Sequence, residues 1–172
     1  MNLALIFAGG TGTRMNSKTK PKQFLELNGK PIIIHTIELF ESHPEIDAIA
    51  VVCLESWIGY LNELLERFRI KKVKYVVPGG ETGQQSIRNG LTAFWDDQDI
   101  PRDSLVLIHD GVRPLINEDI ITRSIECAKQ YGNAITVTPA IETIITVSED
   151  DSVDQIMDRS KCRMARAPQT FR

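Results

Sequence analysis

No C-x-x-C pair occurs in this chain, and its 3 cysteines, Cys53, Cys127 and Cys162, are odd in number and far apart. That pattern excludes a disulfide framework and suits a reducing compartment, with each thiol read as a small buried hydrophobe. No apolar run approaches the ~18 residues that a membrane helix needs. The apolar start of the chain has no basic region ahead of it and no cleavage site, so it does not read as a signal peptide. The expected location is the cytoplasm. Positive charge is not in excess: 20 Lys and Arg stand against 23 Asp and Glu, a formal net charge of −3. Nucleic acid and membrane surfaces are therefore not expected as partners, and any basic site must be local. Internal repeats, low-complexity tracts and linkers are missing. The 172 residues are enough for one domain with a real core and too few for two.

What the chain does have is alternation. "NLALIFAG" (2–9), "AIAVVCL" (48–54), "VKYVV" (73–77), "SLVLIHD" (104–110) and "AITVTPA" (134–140) read as buried strands. Between them lie helix-period segments over 31–43, 56–68, 84–96 and 117–132. The first of these has Pro31 in its first turn, and the last is capped by Asn117 and closed near Gly132. Repeated β-α-β with continuous apolar strands predicts an α/β fold, a mostly parallel sheet covered on both faces by helices. Ligands on such sheets sit beyond the carboxyl ends of the strands. The unusual chemistry falls at those ends: "AGGTGTR", "PGGETGQQS" and "HDGVRP". After residue 140 the pattern changes to two alternating segments around the polar turn "EDDS". A lone hairpin is marginal in water, so it must lie on its own domain or on another subunit.

In "IFAGGTGTRM" (6–15) glycines follow a strand, which lets backbone N–H groups converge on an anion. Arg14, with Lys18, Lys20 and Lys22 downstream, adds local positive charge, so the loop reads as a phosphate cradle. It is not a Walker loop, because no Lys follows a glycine at the required spacing. It is not a dinucleotide fingerprint either, since Thr13, Arg14 and Met15 stand where the third glycine is needed.

"AGGTGTRM" followed by "PKQFLELNGKPII" resembles the signature of nucleotidyltransferases that join a nucleoside triphosphate to a phosphorylated polyol or sugar. "PGGETGQQSIRNGL", "VLIHDGVRPLI", "PAIETI", "DRSKC" and "APQTFR" follow in order. Together they resemble the cytidylyltransferases acting on methylerythritol 4-phosphate and ribitol 5-phosphate, with the first motifs somewhat closer to the ribitol branch. The resemblance runs over essentially the whole chain. It implies a single Rossmann-like nucleotidyltransferase domain over 1–172 with a protruding β-arm over about 141–160. It also implies a C-terminal part of the family domain beyond Arg172, carrying a second metal carboxylate and a lysine. A chain without that part is expected to hold Mg²⁺ and turn over less well.

The implied reaction is attack by a substrate phosphate oxygen on the α-phosphorus of CTP, with pyrophosphate leaving and no covalent enzyme intermediate. Positioning and electrostatic stabilisation then carry the catalysis. By resemblance, Arg14 and Lys22 are the catalytic cations on the triphosphate. Ala8, Gly9, Gly10, Thr11 and Gly12 form the nucleotide loop. Gly79, Gly80, Glu81 and Ser86 recognise the cytosine. Asp110, with Gly111 beside it, meets the nucleotide and binds Mg²⁺, and Arg113 meets the substrate phosphate. Thr143 and Arg159 act in trans on the polyol phosphate across a homodimer formed through the β-arm. The chain departs from the family at Gly83, commonly an arginine, and at Glu81 and Glu142, often aspartates. His109 is expected to orient or pack, His35 to lie in the core and His43 on the surface. Competing readings are a sugar-1-phosphate nucleotidyltransferase with another base, a truncated CTP-binding or dimerisation module, and, more distantly, a Rossmann dehydrogenase.

Overall fold

The structure, a computed structural model, describes residues 1–9 and 20–172. Strands β1 (Asn2–Ala8), β4 (Ala48–Cys53), β5 (Val73–Pro78) and β6 (Leu105–Asp110) pair in parallel, in the order β5-β4-β1-β6. Every residue of β4 is buried, as its unbroken "AIAVVC" requires of a strand covered on both faces. Two further strands extend the sheet beyond β6. They are β10 (Arg163–Phe171), antiparallel to β6, and then β7 (Asn133–Pro139), antiparallel to β10. The strand order reverses between β1 and β6, and that switch point opens a crevice at the carboxyl edge.

Alternate residues of β1 feed two cores. Ala4, Ile6 and Ala8 pack under helices α1 (Ile32–Ser42), α2 (Ile58–Arg67) and α4 (Glu118–Tyr131). Leu3 and Leu5 face α3 (Gly83–Trp95) and its Phe94. One face thus carries three helices, while α3 alone covers the other and leaves a groove of about 450 Å³ beside Leu91, Trp95 and Phe171. The caps on α4 are those expected: the Asn117 side chain accepts from the Ile120 N–H, and Gly132 closes the helix at φ 87°. Pro31 stands one residue outside α1, at its N-cap position. It ends a small hairpin of β2 (Glu26–Leu27) and β3 (Lys30–Pro31), whose turn places Asn28 and Gly29 at positive φ. Residues 141–160 contain β8 (Ile145–Val147) paired with β9 (Val153–Ile156). Among the described residues, no hydrogen bond or ion pair joins this segment to the body between Asn2 and Arg113.

Three expectations are corrected. Cys53 is buried, and burial pushes its thiol up to about 11, but Cys127 is exposed and Cys162 lies between. His43 is buried rather than on the surface, its Nδ1 accepting from the Glu45 N–H and its Nε2 facing Thr122 Oγ1 at 3.0 Å. His35 is only half-buried, 3.0 Å from the Leu27 carbonyl.

Candidate active site

The site is assembled at the carboxyl edge of the parallel strands. Gly9 follows β1 and Gly79 follows β5, and their main chains nearly touch above the end of β4. A Cβ on Gly79 would stand 3.1 Å from Gly9 Cα, and a Cβ on Gly9 would stand 3.0 Å from Ser86 Oγ. The Gly79 N–H donates to the Cys53 carbonyl (2.8 Å), fixing the approach from below. Glycine is required here for space, as any side chain would part the two loops.

Ser86, 3% exposed, clamps the second loop. Its Oγ accepts from the Gly80 N–H and donates to the Thr82 carbonyl, both at 3.0 Å. In this arrangement the hydroxyl proton is committed to the Thr82 carbonyl, and Ser86 shapes the loop assigned to the base. Glu81 is exposed, its N–H held by Gln85 Oε1 at 3.1 Å. Thr82 caps α3 through the Gln85 N–H.

Lys22 opens a short 3-10 turn (Lys22–Phe24) that is tied to β1. Buried Gln23 donates its Nε2 to the Ala8 carbonyl at 2.7 Å. Phe24, fully buried, stacks on Trp57 with ring centroids 4.9 Å apart. These two anchors place Lys22 beside the end of β1. The calls on Gly10, Thr11, Gly12 and Arg14 lie outside the described residues.

Asp110 ends β6 opposite Phe7, and its carboxylate organises the turn after it. Oδ1 accepts from the Val112 N–H and Oδ2 from Arg113 Nε, each at 3.1 Å. The Gly111 N–H donates to the Phe7 carbonyl (3.0 Å), and Thr36 Oγ1 donates to the Gly111 carbonyl (3.0 Å). Only glycine fits at 111, because a Cβ there would stand 2.9 Å from Ala8 Cβ. Arg113, expected on a substrate phosphate, is an exposed partner of Asp110 in this structure.

His109 supports that turn from below. It is fully buried against Phe40, and its Nε2 lies 3.0 Å from the Arg113 carbonyl. A carbonyl can only accept, so Nε2 carries the proton, and Nδ1 is left buried without a partner among the described residues. Burial holds the imidazole pKa below its ordinary value. The unfolded chain therefore binds a proton that the folded chain refuses, and stability is lost as pH falls below about 6.5. The urea midpoint should drop between pH 7 and pH 5 in the wild type, and drop less in His109→Gln. Equal slopes for the two would contradict the assignment.

Among the described residues no three His, Cys, Asp or Glu side chains cluster as a metal site. Asp110 stands alone as a candidate ligand. Thr143 and Arg159 are both exposed at the base of the arm, Arg159 donating to the Ile141 carbonyl at 3.1 Å. Neither joins the cluster of Gly9, Gly79 and Asp110 through a hydrogen bond within the described chain.

Sequence reading missed Arg166 and Gln169. They line a cleft of about 230 Å³ together with Phe7, Ile108, Asp110 and Arg113. Their strand, β10, contains Pro168, which argues against a central strand.

Comparison with known proteins agrees with this geometry. The model of the family described as "IspD: 2-C-methyl-D-erythritol 4-phosphate cytidylyltransferase" matches residues 2–172. A ribitol-5-phosphate cytidylyltransferase of Vibrio parahaemolyticus is 58% identical over 171 residues, spanning 99% of this chain and 71% of the relative. A 2-C-methyl-D-erythritol 4-phosphate cytidylyltransferase of Clostridium acetobutylicum is 40% identical, spanning 100% of this chain and 72% of the relative. The crystal structure of 4-diphosphocytidyl-2C-methyl-D-erythritol synthase from Anaerococcus prevotii superposes with a TM-score of 0.80 at 25% identity, covering 98% of this chain and 68% of that one. With the glycine-lined crevice at the switch point and a family match over nearly every residue, the chain belongs to the 2-C-methyl-D-erythritol 4-phosphate cytidylyltransferase family and is a nucleotidyltransferase.

Proposed function

We propose that this protein transfers a cytidylyl group from CTP to ribitol 5-phosphate, releasing pyrophosphate. The observation that carries the reading is the close approach of Gly9 and Gly79 beside the Asp110–Arg113 turn. With no side chains between them, the two loops present bare backbone groups at that edge, and the turn offers a carboxylate and a guanidinium there. The choice of ribitol rests on the 58% identity to a relative named for it, against 40% to one named for methylerythritol.

The chain's own groups suit direct displacement. A phosphate oxygen of the polyol attacks the α-phosphorus, the bond to the β-phosphate bridging oxygen breaks, and pyrophosphate carries that electron pair away. Lys22, held by its buried neighbours, meets the growing negative charge, and Arg14 is its sequence-assigned companion. Arg113 receives the polyol phosphate. Each Asp110 oxygen accepts one hydrogen bond and keeps a lone pair, which fits a hard cation taking one protein carboxylate, phosphate oxygens and water. Mg²⁺ held there would neutralise phosphate charge.

The arm supports a homodimer. Ile141, Ile145, Val147, Val153 and Ile156 are all exposed on it, an apolar surface that a symmetric partner would cover. Thr143 and Arg159 then serve the neighbouring site. Light scattering should give twice the chain mass, and a strict monomer at micromolar concentration would remove the trans role. Among the described residues no helix is long and apolar enough to cross a membrane.

The deciding experiment measures pyrophosphate release with CTP, Mg²⁺ and each polyol phosphate in turn. Release with ribitol 5-phosphate alone is expected. Release with 2-C-methyl-D-erythritol 4-phosphate alone moves the chain to the other branch, and silence with both favours a binding module.

A further inference from the structure

We propose that Arg166 is a second guanidinium for the phosphate of the polyol substrate, set across a cleft from Arg113. The inference deepens the proposed function and rests on it. Its origin is an irregularity in β10. Ala165 pairs with Val137 and Gln169 with Ile135, so residues 166–168 oppose a single residue of β7. Bulges of this kind re-aim side chains beside active sites.

This bulge is fastened at its base. Thr136 Oγ1 donates to the Pro168 carbonyl at 2.8 Å, and Gln169 Nε2 to the Arg166 carbonyl at 3.4 Å. Arg166 Nε donates to Thr138 Oγ1 at 3.3 Å. The side chain is thus held by its inner nitrogen, and its terminal nitrogens make no hydrogen bond among the described residues. No carboxylate pairs with Arg166 among those residues, whereas Arg113 is already bonded to Asp110.

The described residues lining the cleft that Arg166 shares with Asp110 and Arg113 therefore carry one positive charge in excess. It is lined by apolar Phe7, Ile87 and Ile108 beside the exposed Arg166 side chain. An unpaired planar fork of donors in such a place fits a phosphate bidentately. Restraint by Thr138 reduces the entropy lost on binding. The cleft opens beside Asp110, at the carboxyl edge where the nucleotide is proposed to lie, so the anion it takes is the attacking phosphate.

The test compares wild type with Arg166→Met, Arg166→Lys and Thr138→Val in steady-state kinetics with CTP and ribitol 5-phosphate. Arg166→Met should raise KM for ribitol 5-phosphate by about 10–100-fold, the range for a hydrogen bond to a charged group. KM for CTP should stay within twofold. Arg166→Lys, which keeps the charge and loses the fork, should recover part of the loss, and Thr138→Val should show a smaller rise. A ribitol 5-phosphate KM unchanged in Arg166→Met overturns the proposal, as does an equal rise in both KM values. Calorimetric titration with inorganic phosphate separates this outcome from failure of the functional reading. If the wild type turns over no polyol phosphate, weaker phosphate binding in Arg166→Met still supports the site, and equal binding refutes it. Should the methionine variant fail to fold, the lysine variant, which keeps the exposed stem, decides by the same two measurements.

Discussion

Replacing Lys22 by Met is expected to lower cytidylyl transfer by about 10²–10³-fold, the usual loss for one preorganised donor at a developing charge. The unfolding midpoint should stay where it is. The two halves of this expectation come from different residues of one turn. Position is supplied by Gln23, bonded to the Ala8 carbonyl, and by Phe24, stacked on Trp57 and edge-on to Tyr60 with ring centroids 5.4 Å apart. Lys22 makes no ion pair among the described residues, so its removal leaves the turn's supports intact. Phe24→Ala is the complementary variant: it empties a fully buried site and should cost about 3–5 kcal/mol of stability. Activity and urea midpoints measured on both variants check the division. A Lys22→Met chain with normal turnover would remove the lysine from the chemistry, and one that unfolds early would make it structural.

The parallel half of the sheet was legible because the apolar runs did two jobs. In β1 and β4 consecutive residues face opposite cores, so both periods had to be apolar, and "ALIF" and "AIAVVC" showed it. The ends of β1, β5 and β6 were legible as well, since each of these runs stops at a glycine or an aspartate. Gly9, Gly79 and Asp110 could be placed at one edge from the β-α-β rule alone. Their mutual contacts could not. The close approach of Gly79 to Gly9, where an added Cβ would stand 3.1 Å from Gly9 Cα, depends on β4 lying between β1 and β5, a strand order that sequence does not state.

What stayed hidden was long-range or locally contradictory. β10 was missed because Pro168 interrupts it and because most of its first half is exposed. The sheet tolerates the proline by giving up ladder pairing between Ala165 and Gln169, and it resumes at Gln169, followed by Thr170, fully buried with its Oγ1 2.6 Å from Ser124 Oγ. Arg166 was lost with that strand. His43 reads as a surface residue after a helix, yet both ring nitrogens find partners, one local at Glu45 and one distant at Thr122. Partners far apart in sequence are what a pattern reading cannot see. The hairpin at Asn28-Gly29 was a different kind of omission, because Asn-Gly is itself a strong turn signal.

Asp110→Asn should cost about as much as the Lys22 change, about 10²–10³-fold in turnover, for a reason that combines charge and geometry. The amide oxygen can still accept from the Val112 N–H, so the first half of the turn survives. Its Nδ2, however, would face Arg113 Nε, donor against donor, where the carboxylate now accepts at 3.1 Å. Arg113 is released from its position, and the only candidate cation ligand at this edge among the described residues loses its charge. Stability should change by less than about 1 kcal/mol, because the pair is partly exposed and screened. Magnesium dependence separates the two losses. If Asp110 holds the cation, the Mg²⁺ concentration for half-maximal rate rises in Asp110→Asn and stays normal in Arg113→Met. If Asp110 acts only by holding Arg113, the two variants share one magnesium curve and differ from wild type only in KM for the polyol phosphate. Wild-type turnover in Asp110→Asn would remove both roles, because the same carboxylate underlies each.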